Sequence, residues 1–187
     1  FSFSLAGVTR TNNNNWYSAG IHSPFEGQMK KALRQGSYAD MNVYTTGQSD
    51  NTLGWATLPT SIGNDMSYDG VVIDYRSLPG GNFYPYNLGH TLTHESGHWL
   101  GLEHTFTGGC AVSKSGGDQV GDTPAERDAN FGCPPKRTNS CPGSTGGLKG
   151  NDPIHNYMDY TDDACMDNFT DGQAARAWKM FRLFRNR

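Results

Sequence analysis

The chain has 187 residues, of which 18% are charged, and it carries a formal charge of −3 with 12% aromatic residues. So few charges, against roughly 25% in an average globular domain, exclude intrinsic disorder, which needs low hydrophobicity together with high net charge. Fifteen basic against 18 acidic residues leave no basic footprint for nucleic acid, and no apolar run approaches the roughly 18 residues of a membrane span.

Residues 1–8 alternate apolar and polar like a strand. The same stretch has neither an initiator Met nor the basic-then-apolar order of a signal peptide, so the chain reads as a processed, mature product. The Asn12 to Asn15 run is a surface turn. Residues 24–35 are predicted helical, with Pro24 at the start, Phe25, Met29, Ala32 and Leu33 at helical spacing, and Gly36 as the stop. Residues 41–45 and 70–75 are predicted strands. Val71, Val72 and Ile73 form a continuous apolar run, which suits a central strand covered on both faces; residues 53–59, bounded by Gly and Pro, suit an edge. Asn87 is placed to cap a helix over residues 88–100 that Gly101 ends.

From 108 to 153 the composition turns to Gly, Ser, Pro, Asp and Asn and no period persists, so disulfides or bound cations must fix the segment. Order returns at Thr170 and Gln173, which have capping-box spacing, ahead of a terminal helix bearing Ala174, Ala177, Trp178, Phe181 and Phe184 on one face. The pattern predicts an α+β domain spanning 1–187, with helices packed on a mixed sheet, an upper lobe of about 1–104 and a loop-rich lower lobe of about 105–187. Cys110, Cys133, Cys141 and Cys165 lie in loop-forming sequence without a CxxC pair. They favour disulfides, with three pairings open. A sequon at Asn168-Phe169-Thr170 suits a secreted chain.

The chemistry is concentrated in His94 to His104, HESGHWLGLEH. Residues i and i+4 stand one above the other on a helix, so His94 and His98 can reach one metal ion. Gly101 permits a left-handed exit that turns His104 back toward it. Three neutral nitrogens leave one position of a tetrahedral zinc open, the arrangement of a catalytic site. Glu95, about 100° round the helix from His94, is placed to act on a zinc-bound water as general base. His90 extends the stripe but lies too far along a straight helix to share the ion, and reads as structural. His22 is an ordinary polar histidine, and Trp16, Trp55, Trp99 and Trp178 are core or edge residues.

HExxHxxGxxH followed by a methionine-bearing turn, supplied here by Met158 in HNYMDY, is the metzincin signature. The chain resembles the pappalysin family of metzincins, and especially the secreted metalloproteases of fungi. The resemblance rests on HESGHWLGLEHTF, GDQVGDTPAE (117–126), HNYMDYTDDAC (155–165) and FTDGQAARAW. It covers the chain from about Val71 to Trp178.

The resemblance implies a zincin-like twisted mixed sheet with backing and active-site helices, and Met158 as an apolar floor under the zinc. It assigns Tyr160 to the oxyanion of the tetrahedral intermediate. It also implies disulfides Cys110 to Cys141 and Cys133 to Cys165, and a structural calcium held by Asp118, Asp122 and Thr123. Family members that cleave beside basic residues use acidic side chains near the primed-side pocket. Asp162 and Asp163 are offered for that role, although Ala164 directly before Cys165 departs from the pattern. The expectation is therefore a secreted, monomeric zinc endopeptidase, made as a zymogen, that hydrolyses internal bonds of protein or peptide substrates and engages neither nucleic acid nor membrane. The alternative is an inactive, calcium-stabilised extracellular binding module. Glu95 argues against it, because base and ligands are all present.

Overall fold

The computed structural model describes residues 1–48, 50–110, 117–143 and 149–186. The remaining parts of the predicted irregular segment 108–153, residues 111–116 and 144–148, lie outside the described residues. Helices α1 (Asn14–Tyr17), α2 (Pro24–Leu33), α3 (His90–Trp99) and α4 (Asp171–Phe184) accompany strands β1 (Val43–Thr46), β2 (Gly54–Ala56) and β3 (Val71–Asp74). The sheet order is β1-β3-β2. β1 runs parallel to β3 with Tyr44 opposite Val72, and β2 runs antiparallel with Trp55 opposite Val72. The mixed sheet and the central place of the VVI run match the sequence reading.

The alternation of β3 explains the layering. Val71 and Ile73 face one side with Trp99, Leu100, Leu102, Met158 and Ala177, while Val72 faces the other with Met29, Tyr44 and Trp55. Residues i and i+2 of a strand share a face, so α3 and α4 cover one face and α2 the other. All three apolar β3 side chains are fully buried, each worth about 1.5–3 kcal/mol against exposure. Ser23 caps α2 by accepting from Glu26 N. At α4, Thr170 and Gln173 make the predicted capping box.

Three predicted elements differ. The Asn12 to Asn15 run is the start of α1 and not a plain turn: Asn13 is the N-cap and accepts from Asn15 N and Trp16 N. Residues 1–8 form no strand and are exposed. They pair with neither outer strand of the sheet; Phe1 instead stacks on Trp178 of α4 with ring centroids 4.3 Å apart. The third helix begins at His90, not at Leu88, and Asn87 does not cap it: its Nδ2 donates to Gly81 O. The N-cap is Gly89, at φ +94° and with no side chain to offer.

Among the described residues between Gly101 and Thr170, a single 3-10 turn, Asp163–Cys165, interrupts irregular chain. Disulfides Cys110–Cys141 and Cys133–Cys165 tie this region, in the pairing that the resemblance implied. Among the described residues no helix is long and apolar enough to cross a membrane.

Candidate metal centre

α3 positions His94, Glu95 and His98, and the exit from that helix positions His104. Gly101 takes φ +93°, and a Cβ there would lie 2.7 Å from Met180 Cγ, so both the left-handed turn and the packing of α4 require glycine. After the turn, Leu102 N donates back to Gly97 O at 2.9 Å, which closes the helix and carries the chain round to His104.

The three imidazoles converge. His98 Nε2 stands 3.1 Å from His94 Nε2 and 2.9 Å from His104 Nε2, and the three candidate ligand atoms all lie within 4.8 Å of one another. His94 Nδ1 is 2.6 Å from Tyr157 O and His98 Nδ1 is 2.8 Å from Leu102 O. A carbonyl only accepts, so in each case Nδ1 carries the proton and donates it, leaving the Nε2 lone pair for the centre. Burial lowers the pKa of all three: His94 well below the usual imidazole range, with His98 and His104 adding to the effect; His98 downward, opposed by the Leu102 carbonyl and the charge of Glu103; and His104 to about 3, aided by His98. With the Nε2 lone pairs of His94 and His98 turned inward and His104 Nε2 beside them, the three neutral imidazoles form a set that a divalent cation satisfies.

Glu95 lies beside this set. It is 6% exposed, its Oε2 is buried without a hydrogen-bond partner, and burial pushes its carboxyl up to about 8. A Cβ on Gly54 of β2 would sit 3.1 Å from Glu95 Cγ and 2.8 Å from Val72 O, so glycine at that edge position makes room for the glutamate. Tyr160 brings its hydroxyl within 3.1 Å of His104 Nε2. Burial raises the Tyr160 pKa, helped by the negative charges of Glu95 and Asp159, so the phenol stays a donor. Phe106 stacks on the His104 ring at 4.7 Å. Met158 is fully buried against α3 at Gly97. His90 meets Tyr157 edge to face at 5.1 Å, outside the converged set.

Elsewhere the outcome is mixed. Asp118 and Thr123 are both buried side by side: burial raises the Asp118 pKa, opposed by the Val120 amide and then by the Thr123 side chain. Asp122 is committed differently: its oxygens accept from Thr170 Oγ1 and Gly172 N at 2.8 Å each, at the start of α4. Asp163, one of two acidic residues considered for a basic pocket, is 2% exposed, and its Oδ2 accepts from Leu88 N and His90 N. That oxygen is engaged at the entry to α3, and Asp162 remains partly exposed.

Sequence reasoning missed the carbonyls of Tyr157 and Leu102, because main-chain acceptors leave no signature. It also missed Gly54 and Gly97, whose signal was a glycine inside a strand and a glycine inside a helix, positions where close approach is the usual reason. A buried acid pair went unseen as well. Glu126 and Asp159 are both fully buried; Glu126 accepts from Thr105 Oγ1 at 2.6 Å and from Asn130 Nδ2, and Asp159 accepts from Asn130 N at 3.0 Å.

Comparison with known proteins agrees with this geometry. The peptidase M43 family model, described as pregnancy-associated plasma protein-A, matches residues 30–182. An extracellular metalloprotease of Sordaria macrospora is 49% identical over 186 residues, covering 98% of this chain and 61% of the relative. One from Neurospora crassa is 50% identical over 186 residues, covering 96% and 61%. The chain thus spans about 61% of the length of these curated relatives. Among solved structures, mature mirolysin of Tannerella forsythia in complex with a cleaved peptide is 32% identical with a TM-score of 0.72, covering 88% of this chain and 61% of that one. Mirolysin in complex with a compound is 35% identical with a TM-score of 0.67, covering 82% and 59%.

Proposed function

Since the chain belongs to the pappalysin, or peptidase M43, family of metzincin metallopeptidases, we propose that it is a secreted, monomeric zinc endopeptidase that hydrolyses internal bonds of protein substrates. The observation that carries this reading is the convergence of three Nε2 atoms, two of them with their Nδ1 protons already given to carbonyls, beside an unpartnered buried glutamate.

His94, His98 and His104 would hold the zinc. When bound, zinc supplies Lewis acidity toward a peptide carbonyl and lowers the pKa of water from 15.7 toward about 7. Glu95 then has two tasks, for which burial suits it. Its carboxylate accepts the proton of the attacking water, and the resulting acid delivers that proton to the leaving amine nitrogen. Tyr160 donates its phenolic hydrogen to the oxygen on which charge develops, a contribution made only as that charge appears. Asp118 and Thr123, with neighbouring carbonyls, would take calcium, and Asp122 would support the site through its hold on Thr170 and Gly172.

Secretion is supported by the two disulfides and by the relatives, both named extracellular metalloproteases. The test is hydrolysis of casein by the purified chain. A zinc-selective chelator is expected to abolish turnover and added zinc to restore it; turnover indifferent to the chelator rejects the metal mechanism.

A further inference from the structure

We propose that Asp163 is a positioning residue for this reaction: reaching across from the segment after Met158, its carboxylate fixes the start of α3 and so sets His94 and Glu95 against Tyr160. This inference rests on the metallopeptidase reading for its kinetic consequence, though not for its effects on the helix and on metal affinity.

α3 opens without a capping side chain of its own, because its N-cap is Gly89. An uncapped helix start leaves several N–H groups without partners, and a side chain normally supplies the missing acceptor. Here Asp163 Oδ2 accepts from His90 N, the first N–H of α3, at 3.3 Å and from Leu88 N, just before the N-cap, at 2.7 Å, so it grips the entry and the first residue of the helix although it lies more than 70 residues further along the chain. Asp163 is 2% exposed, so water does not compete for these bonds, and an acidic group suits the positive end of a helix. Its own position is fixed, since it opens the 3-10 turn Asp163–Cys165 and Cys165 is joined to Cys133.

A second attachment lies one helical turn further on, where His94 Nδ1 donates to Tyr157 O. His90 and His94 share a helix face, and both bonds run to the short segment 157–163, which also bears Tyr160. One attachment would let the helix slide or roll about it. Two attachments a turn apart suppress both motions, and a reaction that needs Glu95 and Tyr160 on the same substrate carbonyl is sensitive to displacements of about 1 Å.

The test compares Asp163→Ala and Asp163→Asn with Ser23→Ala, which removes the cap of α2 instead. The readouts are kcat and KM on a cleaved peptide, zinc affinity by competition with a chelator, and thermal stability. Asp163→Ala is expected to lower kcat by about tenfold or more with KM changed less than about threefold, and to weaken zinc binding by about tenfold, the size of effect seen when groups supporting a metal ligand are lost. Asp163→Asn, which keeps an accepting oxygen, should recover both to within about threefold of the native chain. Ser23→Ala should lose stability without either change. If Asp163→Ala does not fold, Asp163→Ser, too short to span both amides, takes its place with the same expected split. The proposal is overturned if the Asp163 variant loses stability as Ser23→Ala does while kcat and zinc affinity stay native. A native chain that cleaves no peptide would sink the endopeptidase reading instead, and the zinc-affinity comparison would still decide the role of Asp163.

Discussion

Gly97 and Met158 meet so closely that a Cβ on Gly97 would lie 2.5 Å from the Met158 sulfur. Gly97 stands on α3 between Glu95 and His98, and Met158 is fully buried, so the sulfur has little room to retreat.

Gly97→Ala therefore sets two effects against each other. Alanine in a helix interior gains about 0.8–1 kcal/mol over glycine, whereas forcing a methyl into a packed core costs about 1–3 kcal/mol. The overpacking should win, giving a net loss of about 1 kcal/mol, seen as a drop of a few degrees in Tm, together with weaker zinc binding as His98 is pushed off line. Thermal melts with and without zinc check this; a more stable variant with native zinc affinity would show that the Met158 contact is slack.

Glu126 and Asp159 bear on how stability depends on pH. Burial, then the charge of Asp159, raises Glu126 to about 8, and burial raises Asp159 to about 6. A carboxyl whose pKa is raised on folding stabilises the fold fully below its unfolded value near 4, and that stability is lost as pH rises through the folded value. Tm should therefore fall between about pH 5 and pH 8. Glu126→Gln, which imitates the protonated acid, should flatten the decline and exceed the native chain at pH 8. A native melting curve flat over that range would contradict the pair's role.

Calcium is a separate matter from zinc. If Asp118 and Thr123 hold it, removal by a calcium-selective chelator should lower Tm by several degrees, since a ligand at 100 times its Kd stabilises by about 2.7 kcal/mol, while leaving zinc bound. Asp118→Asn should show that lowered Tm already and respond little to the chelator. An unchanged Tm in the native chain would count against the site.

Tyr160→Phe removes one hydroxyl and leaves the ring against His104 and Phe106. Loss of one oxyanion donor costs about 100-fold or more in kcat, so kcat should fall to that extent with zinc content and KM little changed. A variant that instead loses zinc would assign Tyr160 to metal retention.

Legibility in the sequence followed the range of the interactions. The zinc triad and the terminal helix were readable because their logic is local: an i, i+4 pair, a glycine exit three residues before His104, and a cap three residues from its partner. The N-terminal strand failed because a period of two indicates a face and not a partner: residues 1–8 pair with no strand, and Phe1 packs on Trp178 and Phe181 of α4. The start of α3 was misplaced because its acceptor is Asp163, far along the chain, whereas Asn87 turns away to Gly81. The resemblance carried the disulfide pairing that composition left open. It also grouped Asp118, Asp122 and Thr123 as calcium ligands, and the hold of Asp122 on Thr170 and Gly172 at the start of α4 was not legible beside that.

The central claim is that Glu95 moves the proton. Glu95→Gln is nearly isosteric and leaves His94, His98 and His104 in place, so the purified variant should bind zinc as the native chain does and unfold at a similar temperature. Its kcat on casein or a cleaved peptide should fall by about 100-fold to 10,000-fold, the range for losing a general base. A zinc-loaded, folded Glu95→Gln variant that turns over at the native rate would contradict the account.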